Sequence, residues 1–391
     1  GGLRGPLASC PMHDVVIVGA GPVGAALALA IADADLDVVA LDARPAGETL
    51  RGDRSLAISH GGRLIFERLG IWSRLAAMRG AVTPIEAIDI SQAGGFGVAT
   101  LRADEQGVPA LDYVVSYRAL TEVLDAALAR TRTAVRYASP VSLIRTGPDA
   151  AEAVTEQGSV RARLAVLADG TGAAVGGVRR VRRDYGQVAV VARIGTRTPH
   201  AHVAYERFTA SGPVALLPEG DRYGLVWTMS PEAASRALEW PEATFLAELA
   251  HHFGARRNDF TSVAERRSFP LALEFARPTA VNRCVLIGNA AQALHPIAGQ
   301  GFNLGLRDAF ELAQAINSQP PQALGARAFT AAYAARRAKD RGAGIAFTHG
   351  LANLFAQDLA IVRWPRGAGL ALLDALPPAK RAFTRAMLYG L

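Results

Sequence analysis

Cysteine is almost absent. Only Cys10 and Cys284 occur in 391 residues, too few and too far apart for a disulfide framework, and no His/Cys cluster has zinc-site spacing. A reducing compartment fits such a chain. Lysine is as scarce: Lys339 and Lys380 stand alone, so the net charge of +7 and the pI near 9.8 rest on arginine. The basic residues are scattered among Asp and Glu without a nucleic-acid motif. That pattern argues against a nucleic-acid partner and leaves anionic ligands or a membrane surface. Long unbroken apolar runs are missing too. Residues 15–32 come nearest, but Gly19, Gly21, Pro22 and Gly24 interrupt them at strand–turn–helix spacing, and no basic segment with a cleavage site frames them. The residues before Met12 read as a tag or linker, with Met12-His13-Asp14 as the natural start.

What is present is a globular α/β chain. Half of it is hydrophobic and it holds 39 glycines, enough for two or three domains. Residues 14–18 are a β-branched run that predicts a buried strand; 25–34 predict a helix and 37–41 the next strand. Helical spacing covers 62–78 and 117–130, and a strand at 160–167 enters the turn Ala168-Asp169-Gly170. Between 184 and 280 the pattern turns to strands separated by Gly/Pro turns, with a helix near 242–253. A buried strand returns at 284–288, followed by helices over 302–316 and 329–347.

Gly19-Ala20-Gly21-Pro22-Val23-Gly24 follows a strand, opens a helix, and precedes a second strand ending in Asp42. In that setting Gly19 allows the tight turn, Gly21 admits a diphosphate, and Gly24 lets the helix lie close to the sheet. The helix start at Pro22 offers free N–H groups to phosphate. Asp42 accepts from a ribose hydroxyl and repels a 2′-phosphate, and Ala43 and Arg44 complete this rim. A second signal lies late in the chain: Gly288-Asn289 ends a strand, and His295-Pro296-Ile297-Ala298-Gly299-Gln300-Gly301-Phe302-Asn303 forms a glycine-bracketed loop at a helix start. One extended FAD molecule explains both ends, with Asn289 facing the ribityl chain and the late helix start facing the flavin ring. Arg54, in the polar turn before residue 55, is placed near the flavin or its diphosphate.

These segments resemble the FAD-dependent aromatic hydroxylases and, within them, the ubiquinone-biosynthesis hydroxylases of the UbiH type (the UbiH/UbiF/VisC-like group). The resemblance rests on residues 15–24, on Ala168-Asp169-Gly170, on Ala204-Tyr205-Glu206-Arg207-Phe208-Thr209 with Gly212-Pro213, and on residues 288–308. The wider family has Asp and His where this chain has Asn289 and Gln292, and both departures look like the UbiH branch. The resemblance implies an α/β architecture: a Rossmann-like FAD-binding domain, an inserted, mostly antiparallel β-sheet substrate domain, and a helical C-terminal region. The expected division is 12–183 for the first part of the FAD domain (with minor substrate-domain insertions), 184–280 for the substrate sheet, 281–347 for the return segment and 348–391 for a helical tail. It also implies FAD contacts from Arg54 and Arg118, a role for Asp169 in FAD and NAD(P)H binding, and a flavin loop comprising Pro296, Gly299, Gln300, Gly301, Phe302 and Asn303.

The activity so implied is monooxygenation. NAD(P)H reduces FAD, O2 forms a flavin C4a-hydroperoxide, and one oxygen passes to the ring of a polyprenylated phenol. His295 is the candidate base, and Tyr205 and Arg207 are candidate substrate contacts. A cytoplasmic protein touching the inner membrane and other ubiquinone-biosynthesis proteins is expected, the tail 348–391 serving that contact or packing on the core. The competing readings are a flavin-dependent prenyl reductase, a flavin halogenase and a non-catalytic accessory subunit. The halogenase lacks support, since no Trp-x-Trp-x-Ile-Pro run occurs.

Overall fold

The computed structural model describes residues 12–48, 54–170, 172–254, 257–294, 300–356 and 360–390. Its first layer is a sheet whose parallel heart runs, in spatial order, Ala134–Arg136, Val38–Leu41, Met12–Val18, Gly158–Leu167 and Cys284–Leu286. Strand Met12–Val18 is buried on both sides, as its unbroken apolar run requires. Val15 and Ile17 face one core with Leu27, Leu120 and Leu164, while Val16 and Val18 face another with Ile144 and Leu167. The registers decide where the site falls. Val18 pairs with both Leu41 and Leu167, and Leu167 pairs with Leu286. Four strands therefore end in one row, and whatever follows each of them emerges on the same rim.

Helix Pro22–Ala30 packs closely because Gly24 has no side chain: a Cβ there would lie 1.9 Å from the Gly19 carbonyl oxygen. Helix Tyr117–Leu128 covers the same face, its start capped by Ser116, whose hydroxyl accepts from the Ala119 N–H at 3.1 Å. The helix expected over 62–78 is two, His60–Arg68 and Trp72–Ala77. Gly70 ends the first at φ +70°, a left-handed conformation that breaks the 3.6-residue repeat.

The second layer is an eight-stranded, mostly antiparallel sheet. Its order is Gln292–Ala293, Phe260–Arg277, Arg179–Thr196, Arg222–Met229, Gly212–Glu219, Val203–Thr209, Ala87–Gln92 and Val98–Arg102. Two of these strands come from the first part of the chain, and Ala87–Gln92 runs parallel to Val203–Thr209. Side chains alternate across the sheet. Val214, Leu216, Leu225 and Trp227 pack under helices Pro231–Glu239 and Glu242–Phe253 with Phe245, Leu249 and Phe253. The opposite face is turned toward the first layer. A small sheet of Ser55–Ser59, Asp112–Ser116 and Val82–Ile85 joins the two layers.

The chain closes with helices Arg327–Ala356, Ala360–Ala375 and Pro377–Tyr389. Among the described residues no helix is long and apolar enough to cross a membrane. The last two lie against strand Val98–Arg102 and helix His60–Arg68. There, Gly97 and Gly367 let two backbones touch, since a Cβ on Gly97 would sit 2.1 Å from the Gly367 carbonyl oxygen. Lys380 secures this contact through Glu105 at 3.1 Å and Asp374 at 3.0 Å.

Candidate active site

The common rim of the parallel sheet carries Gly19, Asp42, Asp169 and Gly288, and each lines one cavity of about 1070 Å³. Gly19 takes φ +94° and abuts the Ala168-Asp169 backbone. At Gly21 the space is open: a Cβ built there meets no atom within 4 Å. Pro22 and Val23 begin the helix beside this opening. The Asp42 carboxylate accepts the Ala20 N–H on Oδ2 at 2.7 Å and, on Oδ1, the Arg44 N–H at 2.8 Å and Arg44 Nε at 3.2 Å, which fixes its direction and leaves a second lone pair on Oδ2. Arg44 also meets Asp125 at 3.5 Å.

Asp169 gives the sharpest sign of a missing partner. One carboxylate oxygen accepts the Ala173 N–H at 2.8 Å, while Oδ1 is buried with no hydrogen bond. Burial pushes its carboxyl above the usual range. A buried acceptor left so is costly unless a donor arrives. The open space at Gly21, the oriented Asp42 and the orphaned Asp169 oxygen fit a dinucleotide bearing hydroxyls and phosphates.

The return segment is held by a buried network. Asp308 accepts from the Gly288 N–H at 3.3 Å, from Gln292 Nε2 at 2.7 Å and from Arg337 Nε at 2.8 Å. Gln292 is thus a bracket between strand end and helix, and Asn289 is left exposed at the cavity. Helix Gln300–Asn317 begins at this point, with Gly301 and Phe302 on the cavity wall. Asn303 does different work from that expected. Its Oδ1 accepts the Ser59 N–H at 2.8 Å and its Nδ2 donates to the Ala57 carbonyl at 3.1 Å, tying the small sheet to the helix start.

Beyond the rim the cavity opens into an apolar chamber. Ile88, Ile90, Phe208 and Ala215 come from the antiparallel sheet, and Leu370, Leu373, Phe383 and Met387 from the last two helices. Two acids break this wall, Asp112 and Glu206, and burial lifts each carboxyl to about 7. Both are enclosed by protein yet keep accessible surface, because the space they face is the cavity.

Of the residues singled out in the sequence, Gly19, Gly21, Pro22, Asp42, Ala43, Arg44, Arg54, Asp169, Gly288, Asn289, Gly301 and Phe302 line this one cavity. Arg54 lies over the Tyr117 ring, 4.0 Å from its centre. Gly24 acts behind the wall, through packing. Arg118 is exposed on helix Tyr117–Leu128, away from the cavity lining. His295, Pro296 and Gly299 lie outside the described residues, and Gln300 opens the helix. Tyr205 borders the cavity, but its ring packs on the helix-covered face, 6.2 Å from Tyr223 and 6.3 Å from Phe253. Arg207 turns the same way and donates to the His252 carbonyl and to Ser91. The residue between them, Glu206, faces the chamber. Nothing in the sequence singles out Glu206, Asp112 or the Asp308–Arg337 pair; strand alternation sets Glu206 opposite Tyr205 and Arg207 without fixing which side meets the cavity.

A family model described as FAD binding domain matches residues 12–339. The chain is 33% identical over 383 residues to ubiquinone hydroxylase UbiL of Rhodospirillum rubrum, across 95% of this chain and 88% of that protein. It is 31% identical over 309 residues to the 3-demethoxyubiquinol 3-hydroxylase of Escherichia coli, across 75% and 77%. Among solved structures, PqsL of Pseudomonas aeruginosa in complex with 2-aminobenzoylacetate aligns with a TM-score of 0.76 at 19% identity, over 92% of this chain and 99% of that one. The p-nitrophenol 4-monooxygenase PnpA of Pseudomonas putida aligns with a TM-score of 0.73 at 18% identity, over 97% and 98%. At such identities the structural likeness speaks for the fold alone.

Proposed function

Because this chain belongs to the FAD-dependent hydroxylases of ubiquinone biosynthesis and has the aromatic-hydroxylase fold, we propose that it hydroxylates the ring of a polyprenylated phenol with NAD(P)H and O2. The observation that carries this reading is the single cavity joining the glycine turn to the apolar chamber. At about 1070 Å³ it exceeds an ordinary small-ligand pocket and suits a cofactor with an aromatic substrate beside it.

In this reading Gly19, Gly21 and the start of helix Pro22–Ala30 take the diphosphate. Asp42 takes the adenosine ribose, Arg44 and Arg54 add positive charge, and Asp169 and Asn289 hydrogen-bond cofactor hydroxyls. The start of helix Gln300–Asn317 places its positive dipole end at the ring. FAD, when bound, supplies the redox chemistry and the activation of O2. The chamber orients the phenol and keeps water from the reacting atoms. Its apolar far wall, with Leu370, Leu373 and Met387, receives the prenyl chain. The division at 184 and 281 is retained as a proposal, with strands Ala87–Gln92 and Val98–Arg102 assigned to the substrate unit. Trp364, Leu372 and Leu376, exposed by 72%, 59% and 45%, are proposed to meet a lipid surface beside the chamber.

The test is turnover of a short-chain prenylphenol by purified holoenzyme under labelled O2. A ring-hydroxylated product carrying one labelled oxygen is expected. Product formed without O2, or reduction of the prenyl chain, would replace this reading with that of a prenyl reductase.

A further inference from the structure

The residue expected to supply a base, His295, lies outside the described residues, and the expected substrate contacts Tyr205 and Arg207 turn their side chains to the helix-covered face. Strand Val203–Thr209 offers another. Residues 204, 206 and 208 share the face that lines the chamber, and 206 is glutamate. Among the described residues it is the one charged side chain that the eight-stranded sheet turns into the cavity. Its flanking strands present Ile88, Ile90, Pro213 and Ala215, and the last two helices present Leu370, Leu373, Phe383 and Met387, none of which ionises. The other ionisable groups on the cavity wall are Asp112 on the small sheet, Tyr205, whose ring packs on the helix-covered face, and, along the rim, Asp42, Arg44, Arg54, Tyr117 and Asp169. No hydrogen bond from a described residue satisfies the Glu206 carboxylate, and burial alone sets its titration.

A carboxyl enclosed in an apolar wall with nothing to bond is costly unless a ligand completes it. A phenol fits. Its apolar ring suits the wall, and its hydroxyl is a donor where an acceptor stands unmet. We infer that Glu206 is a catalytic residue that accepts the hydrogen bond of the substrate's phenolic hydroxyl and takes its proton. The O–H bond breaks, its electron pair stays on the phenol oxygen, and the proton moves to a carboxylate oxygen of Glu206. One negative charge passes from carboxylate to phenolate, with no change of oxidation state. The phenolate pushes electron density into the ring, which favours attack by the ring on an electrophilic oxygen. This inference rests on the phenol-hydroxylase reading above and names the base that reading lacks.

With a midpoint near 7, the ionised form needed for this role prevails at pH 8 and is the minority at pH 6. If only that form binds a phenol that itself titrates near 10, affinity rises about tenfold from pH 6 to pH 8. The experiment titrates a short-chain prenylphenol into FAD-loaded enzyme across this range, reading the flavin difference spectrum, and measures hydroxylation in parallel. Wild type should show the tenfold rise, with kcat/KM following it. Glu206→Gln should bind FAD normally, lose the pH dependence of phenol affinity, and lose about 100-fold in kcat/KM. Glu206→Asp should keep the pH dependence at a reduced rate, which separates a lost base from a damaged wall. Asp112→Asn should keep it as well.

Wild-type pH dependence in Glu206→Gln, hydroxylation by that variant within twofold of wild type, or a dependence that disappears in Asp112→Asn each overturns the inference while leaving the hydroxylase reading intact. A wild-type enzyme that neither binds nor hydroxylates phenols overturns both.

Discussion

Asp112 and Glu206 carry carboxyls whose midpoints burial lifts to about 7, so each holds its proton more firmly in the folded chain than in the unfolded one. Between the ordinary carboxylate value near ~4 and pH 7 the folded state binds the extra protons. Stability from these two groups is therefore greatest in acid, falls as pH rises through that window, and levels off above it. The double variant Asp112→Asn/Glu206→Gln should be more stable than wild type at pH 8, by up to about 4 kcal/mol per site, and should gain little at pH 4. Urea unfolding at the two pH values checks this, and equal effects at both would refute it. The glycine turn gives a second contrast. Gly24→Ala places a Cβ against the Gly19 carbonyl and should fail to fold, whereas Gly21→Ala meets open space. Gly21→Ala should melt like wild type without cofactor yet bind FAD at least about tenfold less tightly, or 1.4 kcal/mol. Flavin fluorescence titration measures that loss. The turn is legible in the sequence because its constraints are local, a few residues apart. Glu206 is not, because a strand pattern fixes alternation but not which parity faces the ligand, and a shift of one residue exchanges Tyr205 and Arg207 for it.

At the scale of elements, the return helix is tied to the following helix by a buried ion-pair network centred on Arg337, which meets Asp308, Glu311 and Asp340. Arg337 and Asp308 are each 4% exposed and meet at 2.8 Å. Arg337→Leu leaves the Asp308 carboxylate in the core without its cation, held only by the Gly288 N–H and Gln292, and should cost roughly 3–5 kcal/mol. It should also loosen Asn289 and weaken FAD binding, since Asp308 holds the Gly288 N–H. A denaturation curve like that of wild type would show that the bracket is dispensable. Periodicity announces both helices, but nothing local in the sequence pairs residues 29 positions apart. The break at Gly70 was equally hidden: a lone glycine inside a helical pattern is often tolerated, and only its left-handed φ reveals the stop. The last two helices pack on the core and wall the chamber, so the tail's apolar residues serve two sides. Trp364→Ser/Leu372→Ser should lower co-sedimentation with anionic vesicles and leave turnover of a short-chain phenol unchanged. Unaltered vesicle binding would remove the lipid-surface proposal.

For the whole molecule, the cavity is walled by residues of both layers. A ligand filling it should stabilise both together, and FAD at 100 times its dissociation constant adds about 2.7 kcal/mol to unfolding. Thermal melts over a series of FAD concentrations should rise in one step, and a transition indifferent to FAD would contradict the site's placement. The parallel layer is the more legible half, since buried β-branched strands followed by a fingerprint and an acid specify both order and ligand end. The antiparallel layer is less so, because Ala87–Gln92 and Val98–Arg102 reach it from far away in the chain, a choice made by tertiary pairing. That layer's two faces also divide the labour of inheritance. The helix-covered side, with Trp227, Phe245 and Phe253, anchors the architecture, while Ala215 on the other side lines the chamber outside that cluster and Ile90 and Phe208 line it from a smaller cluster with Leu101 and Leu388. Descendants of this scaffold can drift toward new aromatic compounds one side chain at a time, keeping the same redox engine and the same folded frame.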